Sequence, residues 1–239
     1  MKSDISKIKT PESINKKNIV LFIVAHTDDE TLGIGGTIAK HHIDKDAVFG
    51  ISMTDGIGSR NIKSQEEKQK RLCNAVKAAE ILGFEWIKHG NFPDNKMDTV
   101  PLLEIVKFIE SVKNINPNII YTHSPSDLNI DHRKVFEATL TAFRPQPNEK
   151  WNEIRSFEVP SATDYGSNNF SNNFNPNLYI NISNTISKKL EAFKQYKREI
   201  RAYPHSRSLE GVKTLAKYRG LSVGLEYAEA FQIVKKIYR

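Results

Sequence analysis

Cysteine is nearly absent from this chain, and so are long apolar runs. Cys73 is the one cysteine in 239 residues, so no intramolecular disulfide can form. The helix predicted around it makes it a buried small hydrophobe rather than a nucleophile. No stretch approaches the roughly 18 consecutive apolar residues of a membrane span. The amino-terminal MKSDISKIKTPESINKK is polar and lacks the apolar core of a signal peptide, which predicts a cytoplasmic address. Internal repeats and nucleic-acid-binding motifs are missing as well. The one stretch that looks weakly ordered is SNNFSNNFNPN at 167–177.

What remains describes an ordinary globular protein. With 38% hydrophobic and 26% charged residues, the chain can bury a full core, and its length suits one large α/β domain over 1–239 better than two small ones. Residues 1–17 are a polar amino-terminal segment of that unit and 183–239 its basic carboxy-terminal part. The net charge of +7 is uneven: from Ser183 onward thirteen Lys or Arg face five Asp or Glu, leaving the first 182 residues at minus one. Basic residues interspersed on amphipathic helices read first as a solvated face, so no nucleic-acid partner is expected. A homo-oligomer is left open.

Strand and helix signals alternate. Residues 19–25 are an unbroken apolar run rich in Ile, Val and Phe, the pattern of a strand buried on both faces. A helix is predicted over 31–42 and a strand over 46–54, followed by an amphipathic helix over 64–82. That helix turns Leu72, Ala75, Val76, Ala79 and Leu82 inward and closes on Gly83. Short strands follow at 84–88 and 118–122, flanking a helix from an Asp98 cap to about Asn114. A helix over 131–143 and a strand over 154–160 come next. The tail holds LYINI, helices near 183–201 and 208–219, and AEAFQIVKKIY as strand or helix. The alternation predicts a Rossmann-like, mostly parallel α/β sheet with helices on both faces and a helical/β carboxy-terminal extension.

The first strand ends on His26, Thr27, Asp28, Asp29 and Glu30. Three carboxylates and an imidazole in one turn repel unless they share a cation, and the carboxyl ends of parallel strands are where such sheets bind ligands. His26 and Asp29, three apart, fall on the same side of a turn while Asp28 points elsewhere. A second polar cluster, HSPSDLNIDHR, offers His123, Asp127, Asn129, Asp131 and His132 directly after another buried strand. His132 could complete a His2Asp set, which leaves a fourth position for water, as in a catalytic zinc site. A spare carboxylate such as Asp28 could take the proton of that water.

AHTDDE resembles the AHPDDE signature of the zinc-dependent PIG-L/LmbE deacetylases, and the Asp131-His132 pair is similar to the second motif of that family. TDGIGSR at 54–60, the RLCNAVKAAEILG helix and the FPDNKMD loop extend the likeness over roughly the first 145 residues. The resemblance implies an LmbE-like fold and a hydrolase that removes an N-acetyl group from an amino sugar. It also implies that His26, Asp29 and His132 bind Zn2+ and that Asp28 is the general base. The substrate would be a small N-acetylated sugar, free or linked to a nucleotide or phosphate. Two departures stand out. Thr27 replaces the usual proline, and Asn129 stands where many members carry a histidine that serves the oxyanion or the leaving amine. Asparagine can donate a hydrogen bond to an oxyanion but cannot deliver a proton. That leaves protonated Asp28, His123 or His205 as the acid. Asp131 is a candidate for ordering a neighbouring side chain.

Other residues carry alternatives. Asp55 and Arg60 are candidates for substrate contact, with a turn-stabilising role for Asp55 as the rival. Asp94 and Asp98 could bind hydroxyls. His205, Arg207 and Arg219 would suit a phosphate-bearing sugar, or simply pack a basic helix pair on the sheet. His89 reads as loop. Gly33, Gly35 and Gly36 suggest a dinucleotide fingerprint, but its third glycine would fall at Ile38, so that reading fails. The rival functions are a metal-containing glycan- or sugar-nucleotide-binding protein without catalysis and a hydrolase of another amide or of a phosphoester.

Overall fold

In the computed structural model, which describes residues 17–54, 56, 65–166 and 173–238, the run beginning at Ile19 forms the central strand β1 (Ile19–Val24). It is followed by α1 (Asp29–Ile43), β2 (Ala47–Thr54), α2 (Gln65–Leu82), β3 (Glu85–Phe92) and α3 (Leu102–Glu110). The chain continues with β4 (Ile119–His123), α4 (Ile130–Ala142), β5 (Glu153–Phe157), β6 (Leu178–Asn181), α5 (Ile186–Gln195), α6 (Leu209–Leu221) and β7 (Ala228–Lys236). The seven strands lie in one sheet in the order β3-β2-β1-β4-β5-β7-β6. β1 to β5 run parallel, and β7 joins antiparallel between β5 and β6. The order reverses between β1 and β4, whose carboxyl ends therefore open the crevice where such sheets bind ligands.

Two apolar layers hold the sheet from its two faces. Along β1 successive side chains alternate sides. Val20, Phe22 and Val24 enter the layer shared with α1, α2 and α5, and Leu21, Ile23 and Ala25 enter the layer shared with α3 and α4. Residues 20 to 25 are at most 1% exposed, which is why this strand shows no polar alternation in sequence. The glycines of α1 have a packing role. A Cβ at Gly33 would lie 2.4 Å from the Phe157 ring, and one at Gly36 would lie 2.8 Å from Ile182. The helix thus approaches the sheet closely enough to set the position of its own amino terminus, where Asp28 and Asp29 sit.

Several elements depart from the sequence reading. Asp98 does not cap α3, because Pro101 takes the cap position with the fixed φ and missing N–H that suit a helix start. β3 extends through His89, which was expected in a loop; Ser52 Oγ lies 2.7 Å from its Nδ1. The last segment is strand. Cys73 is exposed, and so is Val76 at 51%. The face of α2 turned inward carries Ala75, Ala78, Ala79 and Leu82, which rotates both residues toward solvent. Gly33→Ala is expected to lower stability by about 1–3 kcal/mol through overpacking against Phe157, despite the better helix propensity of alanine. Urea unfolding should show a lower midpoint at unchanged slope, partly restored by adding Phe157→Leu.

Candidate metal centre

The turn after β1 is folded by its own side chains. The Asp29 carboxylate accepts the His26 backbone N–H at 2.9 Å, and the Asp28 N–H donates to Glu30 Oε2 at 2.8 Å. The Asp28 carbonyl accepts the N–H groups of Thr31 and Leu32, each at 3.0 Å, as α1 begins. Asp28 itself has φ 124°, a conformation that costs a residue with a side chain on the order of 1–3 kcal/mol. The hydrogen bonds on both sides of the residue hold it there.

His26, Asp29 and His132 each bring one ligand atom into a group within 4.8 Å of one another, all buried. Asp29 Oδ2 lies 3.3 Å from His26 Nδ1 and 3.4 Å from His132 Nε2. Each imidazole has its other nitrogen held by a carboxylate. His26 Nε2 is 3.1 Å from both Asp131 Oδ2 and Asp94 Oδ1, and His132 Nδ1 is 2.8 Å from Asp127 Oδ2. Asp131 is fixed in turn by the N–H groups of Asn95 and Met97 at 2.6 and 3.0 Å. This is the carboxylate–histidine pattern that orients imidazoles toward a cation. Two overlapping trios, His123 with Asp127 and His132, and His26 with Asp94 and Asp131, draw on the same cluster, and His123 Nδ1 in the former is buried without a hydrogen-bond partner. Within the trio of His26, Asp29 and His132, buried Asp29 Oδ1 and His132 Nε2 have no hydrogen-bond partner. An imidazole nitrogen and a carboxylate oxygen left unsatisfied, with His26 Nδ1 beside them, fit a divalent cation.

Electrostatics points the same way. Burial pushes His26 down, but its hydrogen bonds to the carboxylates of Asp131, Asp29 and Asp94 outweigh it and hold the imidazole well above its usual range. Burial likewise opposes the charge on His132, yet Asp29 and Asp127 raise it to about 9. Asp29 stays well below the usual carboxylate range, because His132 and His123 overcome its burial. Protons on the two imidazoles stand where a cation's charge is wanted. Burial, Glu199 and Asp29 push the Asp28 carboxyl up to about 6 while the Arg71 and Arg207 guanidinium groups restrain it.

Arg71 was overlooked in the sequence, where it is one charge among many on an amphipathic helix. Its Nη2 donates to Asp28 Oδ1 at 2.8 Å, its Nη1 to Glu199 at 2.7 Å, and its Nε to Thr27 Oγ1 at 3.0 Å. The threonine that replaces proline thus supplies an acceptor that proline lacks. Arg207 reaches the site from the segment before α6, with Nη1 3.6 Å from Asp28 Oδ2. His205 does not share that approach: its Nδ1 accepts the Arg207 backbone N–H at 3.0 Å. Arg219 is taken by Glu158 through bonds of 2.8 and 2.6 Å.

His123 is not presented to a substrate. It is fully buried, its Nε2 accepts the Ala25 N–H at 2.8 Å, and its ring stacks 3.8 Å from that of His132. Burial and the neighbouring His132 charge push it down to about 4, so it stands neutral behind Asp29. Asn129 caps α4 by accepting the Asp131 N–H at 2.8 Å, and its Nδ2 donates to Asn95 Oδ1 at 3.2 Å. One amide N–H is left for another acceptor. Asp98 is exposed, whereas Asp94 is buried. Asp55 and Arg60 lie outside the described residues.

The family model described as PIG-L, GlcNAc-PI de-N-acetylase, matches residues 21–143, which contain both polar clusters. The chain belongs to the PIG-L family. Among curated proteins, this PIG-L chain is 31% identical over 156 residues to the uncharacterized deacetylase YaiS of Escherichia coli (strain K12), covering 62% of this chain and 78% of that one. It is 28% identical to diacetylchitobiose deacetylase of Thermococcus kodakarensis, over 96% and 88% of the two chains. Among solved structures it superposes on N,N'-diacetylchitobiose deacetylase of Pyrococcus horikoshii with a TM-score of 0.74 at 22% identity, over 95% and 87% of the chains. That structural likeness concerns the fold. No helix among the described residues is long and apolar enough to cross a membrane.

Uptake of a divalent cation by His26, Asp29 and His132 is expected to release protons from both imidazoles, on the order of two per ion at neutral pH, so affinity should rise with pH. Isothermal titration in buffers of different ionisation enthalpy measures that number. A release near zero would contradict the arrangement.

Proposed function

We propose that the protein is a zinc-dependent de-N-acetylase acting on an N-acetylated amino sugar, with His26, Asp29 and His132 as the metal ligands and Asp28 as the general base. The observation that carries this reading is the division of labour within one turn. Asp29 faces two imidazoles that are oriented by carboxylates, while Asp28, its neighbour, is held out of that set by Arg71. Zinc in such a site polarises an acyl oxygen and lowers the pKa of a water molecule. The two nitrogens and one oxygen leave an open position, the donor set of a hydrolytic zinc rather than a structural one.

The residues around it divide the remaining work. Asp28 takes the proton of the attacking water. Its Oδ1 is engaged by Arg71 at 2.8 Å, and its Oδ2, with only the more distant Arg207 at 3.6 Å, is the oxygen open to receive it. A carboxyl pushed up to about 6 remains mostly ionised at neutral pH and is a stronger base than an ordinary aspartate. Asn129 offers its remaining amide N–H to the tetrahedral oxyanion. The leaving nitrogen then receives the proton from Asp28 itself, because His123 is enclosed behind Asp29 with its Nε2 engaged and Asn129 has no proton to give. Arg207 contacts the substrate or steadies Asp28 from the opposite side. Acetate and a free amine are the products.

Asp28→Asn is expected to keep the metal and lose roughly 10²–10⁴-fold in turnover, checked by metal analysis beside an acetate-release assay. Near-normal acetate release would refute the assignment of the base. Arg71→Met removes a charge that lowers the Asp28 pKa, so the acidic limb of kcat/KM should move to higher pH, with activity lost first on the acid side. A limb displaced to lower pH, or not at all, would separate Arg71 from the proton transfer.

A further inference from the structure

One buried ion pair has no part in the chemistry described so far. Lys189 of α5 is 2% exposed and Glu229 of β7 is 5% exposed, and Lys189 Nζ donates to Glu229 Oε1 at 2.5 Å. Both side chains reach helix α1. Glu229 accepts the Gly36 N–H on Oε1 at 2.9 Å and the Thr37 N–H on Oε2 at 2.7 Å, while Lys189 Nζ donates to the Leu32 carbonyl at 2.7 Å. In a helix the Gly36 N–H and the Leu32 carbonyl are the two ends of one rung of the hydrogen-bond ladder. The ion pair therefore grips α1 within its length rather than at an end. Thr185, just before α5, adds a further bond from Oγ1 to the Gly36 carbonyl at 2.8 Å.

Burying a lysine and a glutamate is costly, and a matched apolar pair in such a position is commonly as stable or more so. Stability alone gives no reason for the pair, but axial position does. The face of α1 turned to its neighbours carries Gly33, Gly35 and Gly36, and a Cβ on Gly35 would lie 3.2 Å from Lys189 Cγ. Contact through glycines sets how closely the helix lies. Without side chains to interdigitate, it fixes poorly where the helix sits along its own axis. Directional bonds to a charged carboxylate and ammonium supply what that face lacks. Asp29 is the first residue of the same helix, three positions before Leu32, and its Oδ2 lies 3.3 and 3.4 Å from the nitrogens of His26 and His132. A metal ligand has to be held within about 0.5 Å of its working place.

We propose that Lys189 and Glu229 are positioning residues for the metal centre: they fix α1 along its axis and so set the place of Asp29 against His26 and His132. The inference rests on the assignment of those three residues as metal ligands. It gives the carboxy-terminal part of the chain, which lies beyond residues 21–143 of the family match, a share in the site through a pair that touches neither metal nor substrate.

The test replaces the pair as a unit, Lys189→Met with Glu229→Met, so that no buried charge is left unpaired. Urea unfolding should give a midpoint equal to or above that of the unaltered protein. The affinity of the metal-free protein for Zn2+, measured by competition with a chromophoric chelator, should nevertheless fall roughly tenfold. The visible absorption of the Co2+-loaded protein should change as well, because its bands follow ligand geometry. Thr185→Val keeps the shape of the side chain and removes its bond to Gly36; it should weaken Zn2+ binding about two- to fivefold, and it decides the matter if the double variant does not fold. Unchanged Zn2+ affinity and an unchanged Co2+ spectrum in the variants that fold would overturn the positioning role. A lowered unfolding midpoint without either change would make the pair a stabilising contact only, and would overturn it equally. An unaltered protein that takes up no Zn2+ would instead refute the three-ligand assignment, and this inference with it.

Discussion

The packing of negative charge at the end of β1 and β4 is the constraint on which the remaining features depend. Asp28, Asp29, Asp94, Asp127 and Asp131 are all at most 4% exposed, and so many carboxylates cannot ionise together in a dry crevice without positive charge among them. The structure supplies that charge from three directions. His26 and His132 are held up by their carboxylates, Arg71 comes across from α2, and Arg207 enters from the segment before α6. Each cation is matched to a particular oxygen. A divalent ion at the remaining unsatisfied atoms would complete the balance, and the same balance sets Asp28, the proposed base, apart from its neighbour Asp29.

The fold prepares this concentration of charge by bringing the ends of two strands together where the order of the sheet reverses. β1 delivers His26, Asp28 and Asp29, and the loop after β4 delivers Asp127, Asp131 and His132. The close approach of α1 to Phe157 and Ile182, allowed by Gly33 and Gly36, fixes the helix start on which Asp28 depends. Residues from the antiparallel side of the sheet contribute as well. Glu30 is buried and accepts the Tyr196 hydroxyl at 2.6 Å, so the segment after α5 closes over the turn and carries Glu199 toward Arg71. The basic surplus after Ser183 is consequently not one undivided patch. Arg219 pairs with Glu158, and Arg207 is aimed into the centre.

Much of the fold was legible from residue pattern alone. The apolar run of β1 has a composition that only a strand covered on both faces requires, and most strands and helices fall within a few residues of their expected bounds. The failures share a cause. Val76 and Cys73 on α2 have apolar neighbours at helical spacing, yet which arc of a helix faces the sheet is decided by how it docks. His89 looked like loop because its strand is half-polar, and it is stabilised there by Ser52 of β2. Asp98 lost the helix cap to a proline three residues later.

In the site the division is sharper. The sequence by itself determined the composition of the centre: an acid-rich turn after a buried strand, a second cluster after a later strand, and a spacing that separates Asp28 from Asp29. Those are local properties, fixed by the period of the backbone. Tertiary structure alone decided that Asp131 and Asp94 hold His26, that Asp127 holds His132, that Arg71 and Arg207 brace Asp28, and that His123 is enclosed. These pairings join residues separated by as many as 179 positions, as between Asp28 and Arg207. No local signal encodes them, because a side chain's partner across a sheet is set by strand order and helix docking, whereas its chemistry is set by its identity.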